Sequence, residues 1–216
     1  MGLIRLVWLE MRVFRRTDVM CKLIRNTMKN LLIITLLMFG MNQINAQNVI
    51  SIEADGNLES PNPLVCVDLS AVTNGNNPAD ILNGMKKCIE IKQYEKAAKL
   101  FAIAGVYGKY DTFRVKDKSA HQALLVLQMN IFENISDSEK NSLMEYLEKE
   151  LKAGSSKLNE TCQAIQKVGV PKYYPKYMIQ HGIQAFVEKD GNGLIEKFDS
   201  LASWKLALKE YLHCGE

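Results

Sequence analysis

The 216-residue chain has no apolar run near the roughly 20 residues that a membrane-spanning helix requires; the uncharged stretch from Leu31 to Met41 has 11. Histidine is scarce, with His121, His181 and His213 alone, and no two cysteines stand in a C-x-x-C pair. That spacing excludes the usual zinc patterns. Nor is there a lasting excess of positive charge. The formal net charge is +3, but the first 46 residues hold seven of the 27 basic residues and two of the 24 acidic ones. What remains is 20 basic against 22 acidic residues, a balance with no argument for nucleic acid, which needs a concentrated positive face.

What is present begins with targeting. Residues 28–47, from Met28 through the 11-residue apolar run to a polar stretch with the small Ala46, have the three-part form of a secretory signal peptide. Residues 1–27 carry Arg5, Arg12, Arg15, Arg16, Lys22 and Arg25 and fit no signal region. Three readings are open for them: a reading frame extended upstream of a start at Met28, a long basic n-region, or an amphipathic helix. The expected working chain starts near Gln47 and is periplasmic or secreted, with no stable membrane span once the signal is removed.

Export changes the reading of cysteine. Cys21 falls in the leader, which leaves Cys66, Cys88, Cys162 and Cys214, an even four in an oxidising compartment. Three connectivities are possible, and free thiols are the alternative. Pairing Cys66 with Cys88 and Cys162 with Cys214 is expected, since each bridge would staple one end of the chain to the helices. Loops of that size are worth about 3 and 4 kcal/mol in the chain-entropy account.

The expected fold is all-α: a compact, disulfide-stapled bundle of about six or seven helices over residues 77–216, with an extended arm over 48–76. Turn formers crowd the arm, separated by short β-type runs at Val49 to Ile52 and Leu64 to Val67. From Asn77-Pro78 the apolar period becomes helical, first through Ile81, Leu82, Met85, Cys88 and Ile89. A second helix is expected from Tyr94 to about Val106, with Lys109 to Val115 a loop. The all-round apolar stretch Ala123 to Leu127 predicts a buried central helix. Ser136 to Glu139 forms a capping box for a fourth, and Ser155 or Ser156 opens a fifth ending before Gly169. A sixth is expected from Pro175 to Val187, and a seventh, broken early, from Leu194 to His213.

Within that pattern Ile81 to Ala104 looks like a single tetratricopeptide-type helical hairpin. Tyr94, Ala97, Phe101 and Ala104 match the second half of that repeat, while Gly84-Met85 replaces its usual Leu-Gly pair. No second copy follows at a 34-residue period, so no peptide groove is implied.

Four stretches carry candidate chemistry. Residues 188–199 resemble a calcium EF-hand loop, with Glu188, Asp190, Asn192 and Asp199 as oxygen donors and Gly193 at the sharp turn. Glu188 and Asp199 depart from the usual end ligands, and an ordinary polar turn is the alternative. Lys172, Tyr173, Tyr174, Lys176 and Tyr177 make an aromatic and basic loop, the preferred partner surface, unless two of its rings pack down on the bundle. A Cys162–His181 nucleophile pair with Asp199 as orienter can be drawn, without any family signature around it. Arg114 with Asp111 or Asp117 suits a carboxylate or phosphate site, or a solvated salt-bridged loop.

No catalytic motif stands out. Small size, export, disulfides and a helical body match the profile of a non-enzymatic envelope protein, an inhibitor or immunity protein that binds a protein partner. The alternatives are a hydrolase-like enzyme using His181 and carboxylates, and a calcium-stabilised structural protein. Calcium is the one cofactor in view.

Overall fold

Local capping and apolar spacing account for the first helix. The computed structural model describes residues 53–187 and 191–215, and among these the protein is all-α, with eight α-helices and no strand. The signal segment, the leader and the run Val49 to Ile52 lie outside the described residues. Helix α1 (Pro78–Glu90) starts with a reciprocal box: Asp80 N donates to Asn77 Oδ1 (2.8 Å) and Asn77 N donates to Asp80 Oδ2 (3.1 Å). Its Ile81, Leu82, Met85, Cys88 and Ile89 are all buried.

Helix α2 (Tyr94–Arg114) is the central helix, 21 residues long and lined by buried side chains from Ala97 to Arg114. It overruns the expected end at Val106, and the expected loop from Lys109 to Val115 is its last turns. The two glycines that suggested an ending are contact points instead. A Cβ on Gly105 would lie 1.9 Å from the Tyr211 ring, and one on Gly108 2.6 Å from Leu124. Each glycine costs about 1 kcal/mol against alanine in a helix, and close packing of neighbours offsets that.

After a 3-10 turn (Lys118–Gln122) comes α3 (Ala123–Glu133). It is not the buried centre its composition predicts. Only Ala123 and Leu127 are buried, while Leu125 and Met129 are exposed. The centre is occupied by α2, and α3 packs from the side through Leu124 at Gly108.

Helix α4 (Asp137–Glu150) opens on the expected Ser136–Glu139 box and buries Leu143 and Leu147. Helix α5 (Ser156–Val168) is capped by Ser155, whose Oγ accepts from Leu158 N, and ends at Gly169 with φ +90°.

Beyond Gly169 the chain is less regular than expected. The single helix from Pro175 to Val187 is two turns, α6 (Lys176–Ile179) and α7 (Gln184–Val187). Contacts from far along the chain divide them. Gly182 sits so close to Asp117 that a Cβ would meet its Oδ2 at 2.2 Å. Asp117 Oδ2 accepts from Gln184 N and Ser119 Oγ accepts from Ile183 N, each at 2.9 Å. The last helix, α8 (Ser200–Leu212), starts six residues later than predicted, capped by Asp199. Leu194 instead forms an isolated antiparallel bridge with Val115, flanked by Lys116 N to Gly193 O and Ile195 N to Arg114 O, both 2.9 Å.

Two disulfides tie this body. Cys66–Cys88 joins the arm to α1 (Cα–Cα 4.6 Å), and Cys162–Cys214 joins α5 to the end of α8 (5.8 Å). The run Leu64 to Val67 forms no strand. Leu64 N donates to Asp80 O, and Val65 O lies 2.8 Å from where a Gly84 Cβ would be. Gly84, the departure from the tetratricopeptide pattern, is where the arm lies on α1.

Candidate functional site

The aromatic and basic loop turns inward. Tyr173 and Tyr177 each donate their hydroxyl to Asp111 Oδ2 at 2.8 Å, and Tyr177 is only 1% exposed. Lys176 is held by Asp55 (3.0 Å) and Glu59 (3.1 Å) of the arm. Tyr174 and Lys172 face outward, and the Tyr174 hydroxyl donates to Asn192 O at 2.7 Å. Of the predicted partner surface, Tyr177 is buried and Tyr173 half-buried with their hydroxyls on a buried carboxylate, as in the alternative in which two rings pack down, while Lys172 and Tyr174 are exposed.

That carboxylate is the centre of a buried polar cluster. Asp111 is fully buried, and its Oδ1 accepts from Arg114 Nε and lies 2.7 Å from Arg114 Nη2. The guanidinium stands over the rings of Tyr110 and Tyr173, 5.1 and 5.0 Å from their centroids. Tyr107, Tyr110, Phe198 and Trp204 pack around it edge to face. Burial pushes the Asp111 pKa up, with Arg114 and the two phenols pulling the other way. Burial also raises Tyr173 and Tyr177 well above the ordinary phenol range.

A carboxylate offers about four lone-pair sites, and here Arg114, Tyr173 and Tyr177 fill them with four contacts. Its oxygens are occupied and closed to substrate, while Arg114 Nη2, within ion-pair reach of Oδ1, makes no hydrogen bond of its own. The expected anion site at Arg114 is corrected in the same way: its guanidinium is spent on Asp111 inside a helix, and Asp117 serves α7. The sequence signal that was missed is the i, i+3 spacing of Asp111 and Arg114, which fits one helix face as well as a loop.

The drawn nucleophile pair is not assembled. Cys162 is in a disulfide, and Asp199 Oδ1 accepts from Ala202 N at the start of α8. His181 is partly buried, with Nδ1 2.9 Å from Asn57 Oδ1, and burial lowers its pKa. A shallow depression between α2 and α4, lined by Tyr94, Ser142, Glu145, Tyr146 and Lys149, contains none of these residues.

For calcium, Glu188 and Asp190 lie outside the described residues. Of the other two donors, Asn192 Oδ1 accepts from Leu194 N and Asp199 Oδ1 serves as a helix cap. The preceding helix is one turn long rather than a full EF-hand helix. No group of three or more His, Cys, Asp or Glu side chains suited to a metal occurs among the described residues. Asn192 Oδ1 and Asp199 Oδ1 each bond a backbone amide of their own segment.

The feature that sequence reasoning missed is apolar. Ile183, Phe186 and Val187 are 67%, 52% and 71% exposed, and Ile195 and Leu201 stand out nearby in sequence. A continuous amphipathic helix would have buried some of these side chains, whereas the break at Gly182 leaves α7 with none buried. No known protein family, curated protein or solved structure matches the chain. Among the described residues no helix is long and apolar enough to cross a membrane.

Proposed function

We propose that the protein is an exported, non-enzymatic interaction protein of the cell envelope that binds a protein partner, as an inhibitor or immunity protein does. The observation that carries this reading is the exposure of five large apolar residues, Ile183, Phe186, Val187, Ile195 and Leu201, within one stretch of sequence. Soluble chains scatter such residues singly, and a concentration of them marks interaction surfaces. Tyr174, exposed and bonded to Asn192 in the same stretch, extends the surface with the one ring of the aromatic loop that still faces outward. Two disulfides suit an oxidising compartment, and Asp111, Tyr173 and Tyr177 spend their polar atoms on one another and on Arg114.

The test is a pull-down from envelope extract with tagged residues 47–216, read by mass spectrometry. One stoichiometric partner is expected, lost in Phe186→Asp/Val187→Asp and retained in the control Leu125→Asp on α3. Retention of the partner in the double variant would reject this surface.

A further inference from the structure

We infer that the depression between α2 and α4 takes one pyranose unit of a neutral glycan. Two helices build it. Tyr94 is the first residue of α2, and Ser142, Glu145, Tyr146 and Lys149 come from α4. Steps of three and four residues put those four on one helix face, while Leu143 and Leu147 of the same helix turn into the core. The two rings meet across the depression with centroids 6.0 Å apart and planes 33° from parallel. Its volume is about 230 Å³. That is below the roughly 300–1,000 Å³ of a pocket for a drug-sized molecule, and it suits a single sugar ring.

The hydroxyls set this pair of rings apart. Of the eight tyrosines, Tyr107, Tyr110, Tyr173, Tyr174 and Tyr177 hydrogen-bond their hydroxyls to the protein, and Tyr211 sets its own against Gln128. Among the described residues only Tyr94 and Tyr146 have no partner at the hydroxyl, and they are the two that line the depression. A tyrosine is apolar in body and polar at its tip. A pyranose has the matching form, a face of C–H groups and an edge of hydroxyls that both donate and accept. For that edge Glu145 accepts, Lys149 donates, and Ser142 Oγ, which donates to Ser138 O, keeps lone pairs to accept. One carboxylate and one ammonium sum to no net charge, so the ligand that fits is neutral.

The probes are chitotriose, cellotriose and maltotriose, titrated into the folded chain of residues 47–216. At least one is expected to shift the backbone NMR signals of Tyr94, Ser142, Tyr146 and Lys149. A site this open binds weakly, with a Kd of about 1 mM, and the affinity should not change with salt because no net charge is met. Tyr146 is 37% exposed, so its variants should keep the wild-type circular dichroism. Tyr146→Ala should weaken binding about tenfold, and Tyr146→Phe, which keeps the ring, by no more than about threefold. No shift with any of the three trimers, undiminished binding by Tyr146→Ala, or an equal loss in Tyr146→Phe would overturn the inference. Binding seen only with a sulfated trimer, and fading with salt, would overturn it as well, since the ligand recognised would then be an anion. Sedimentation with insoluble chitin or cellulose, competed by its own trimer, would mark a glycan strand as the source of the sugar. Trimer binding without sedimentation would mark a free oligosaccharide.

Discussion

The arm before α1 and the segment after α5 are both laid over the α1–α2 hairpin, each with one disulfide and one buried carboxylate, yet different forces hold them. On the arm side Asp80 accepts only neutral donors: Asn77 N, Ser60 Oγ and Asn62 N. It can do so because it stands in the first turn of α1, where the helix dipole favours negative charge. Asp111 stands in the last turn of α2, where the same dipole opposes it, and a cation is needed. Arg114 supplies one, and Tyr173, Tyr177, Phe198 and Trp204 bring the C-terminal segment down around the pair. The position of a carboxylate along its helix thus decides whether hydrogen bonds suffice or an ion pair is required.

The sharpest way to break that contrast is to neutralise both acids without changing their shape. Asp111→Asn leaves the Arg114 guanidinium buried without its counter-charge, a loss of about 3–5 kcal/mol. Asp80→Asn removes no counter-charge and keeps one acceptor, so it should cost about 1–2 kcal/mol. Urea unfolding followed by circular dichroism measures both. Equal losses would mean that the dipole does nothing for Asp80 that Arg114 does for Asp111. Hydrogen exchange adds a local reading, since Asp80→Asn should speed exchange at Asn62 and leave Ile179, whose N–H donates to Pro175 O, protected.

A smaller effect tests how closely α8 is fitted to α2. Gly105→Ala raises helix propensity by about 1 kcal/mol, so a freely solvated glycine would give a stabilised protein. Here the new methyl would overlap the Tyr211 ring, and the expected net result is a loss of about 1–3 kcal/mol. The sign of the change in thermal midpoint settles the matter. A stabilised variant would mean that Tyr211 does not lie on Gly105.

The same contrast explains which parts of the fold are legible in sequence. Helices α1, α4 and α5 start where their caps stand, because Asn77, Ser136 and Ser155 each bond an amide three residues on. Local chemistry writes itself locally. Gly105 and Gly108 misled because the same residue type serves as a breaker and as a place for close approach, and only the partner, Tyr211 or Leu124, tells the two apart. The break between α6 and α7 is invisible for the same reason, since Asp117 and Ser119 act from more than 60 residues away. That break also changes which side chains face outward. The sequence pattern makes the tyrosine loop the outward feature, whereas the observed chain buries Tyr177, half-buries Tyr173 and turns out Ile183, Phe186 and Val187.

The smallest expected effect concerns the contact between the arm and α6. His181 lies with Nδ1 on Asn57 Oδ1, and burial depresses its pKa while Glu53 acts weakly the other way. A histidine whose pKa is lower in the folded than in the unfolded chain binds fewer protons when folded. Its contribution is complete above the ordinary histidine value of about 6.5 and is lost as the pH falls below that toward the folded value. The wild-type thermal midpoint should therefore decline more between pH 7 and pH 5 than that of His181→Gln. Faster exchange at Leu58 N, which donates to Tyr177 O, should accompany the decline. Parallel midpoint curves for the two proteins would show that the arm is fastened by Lys176 and the Asp80 contacts alone, and that the histidine adds no pH dependence to it.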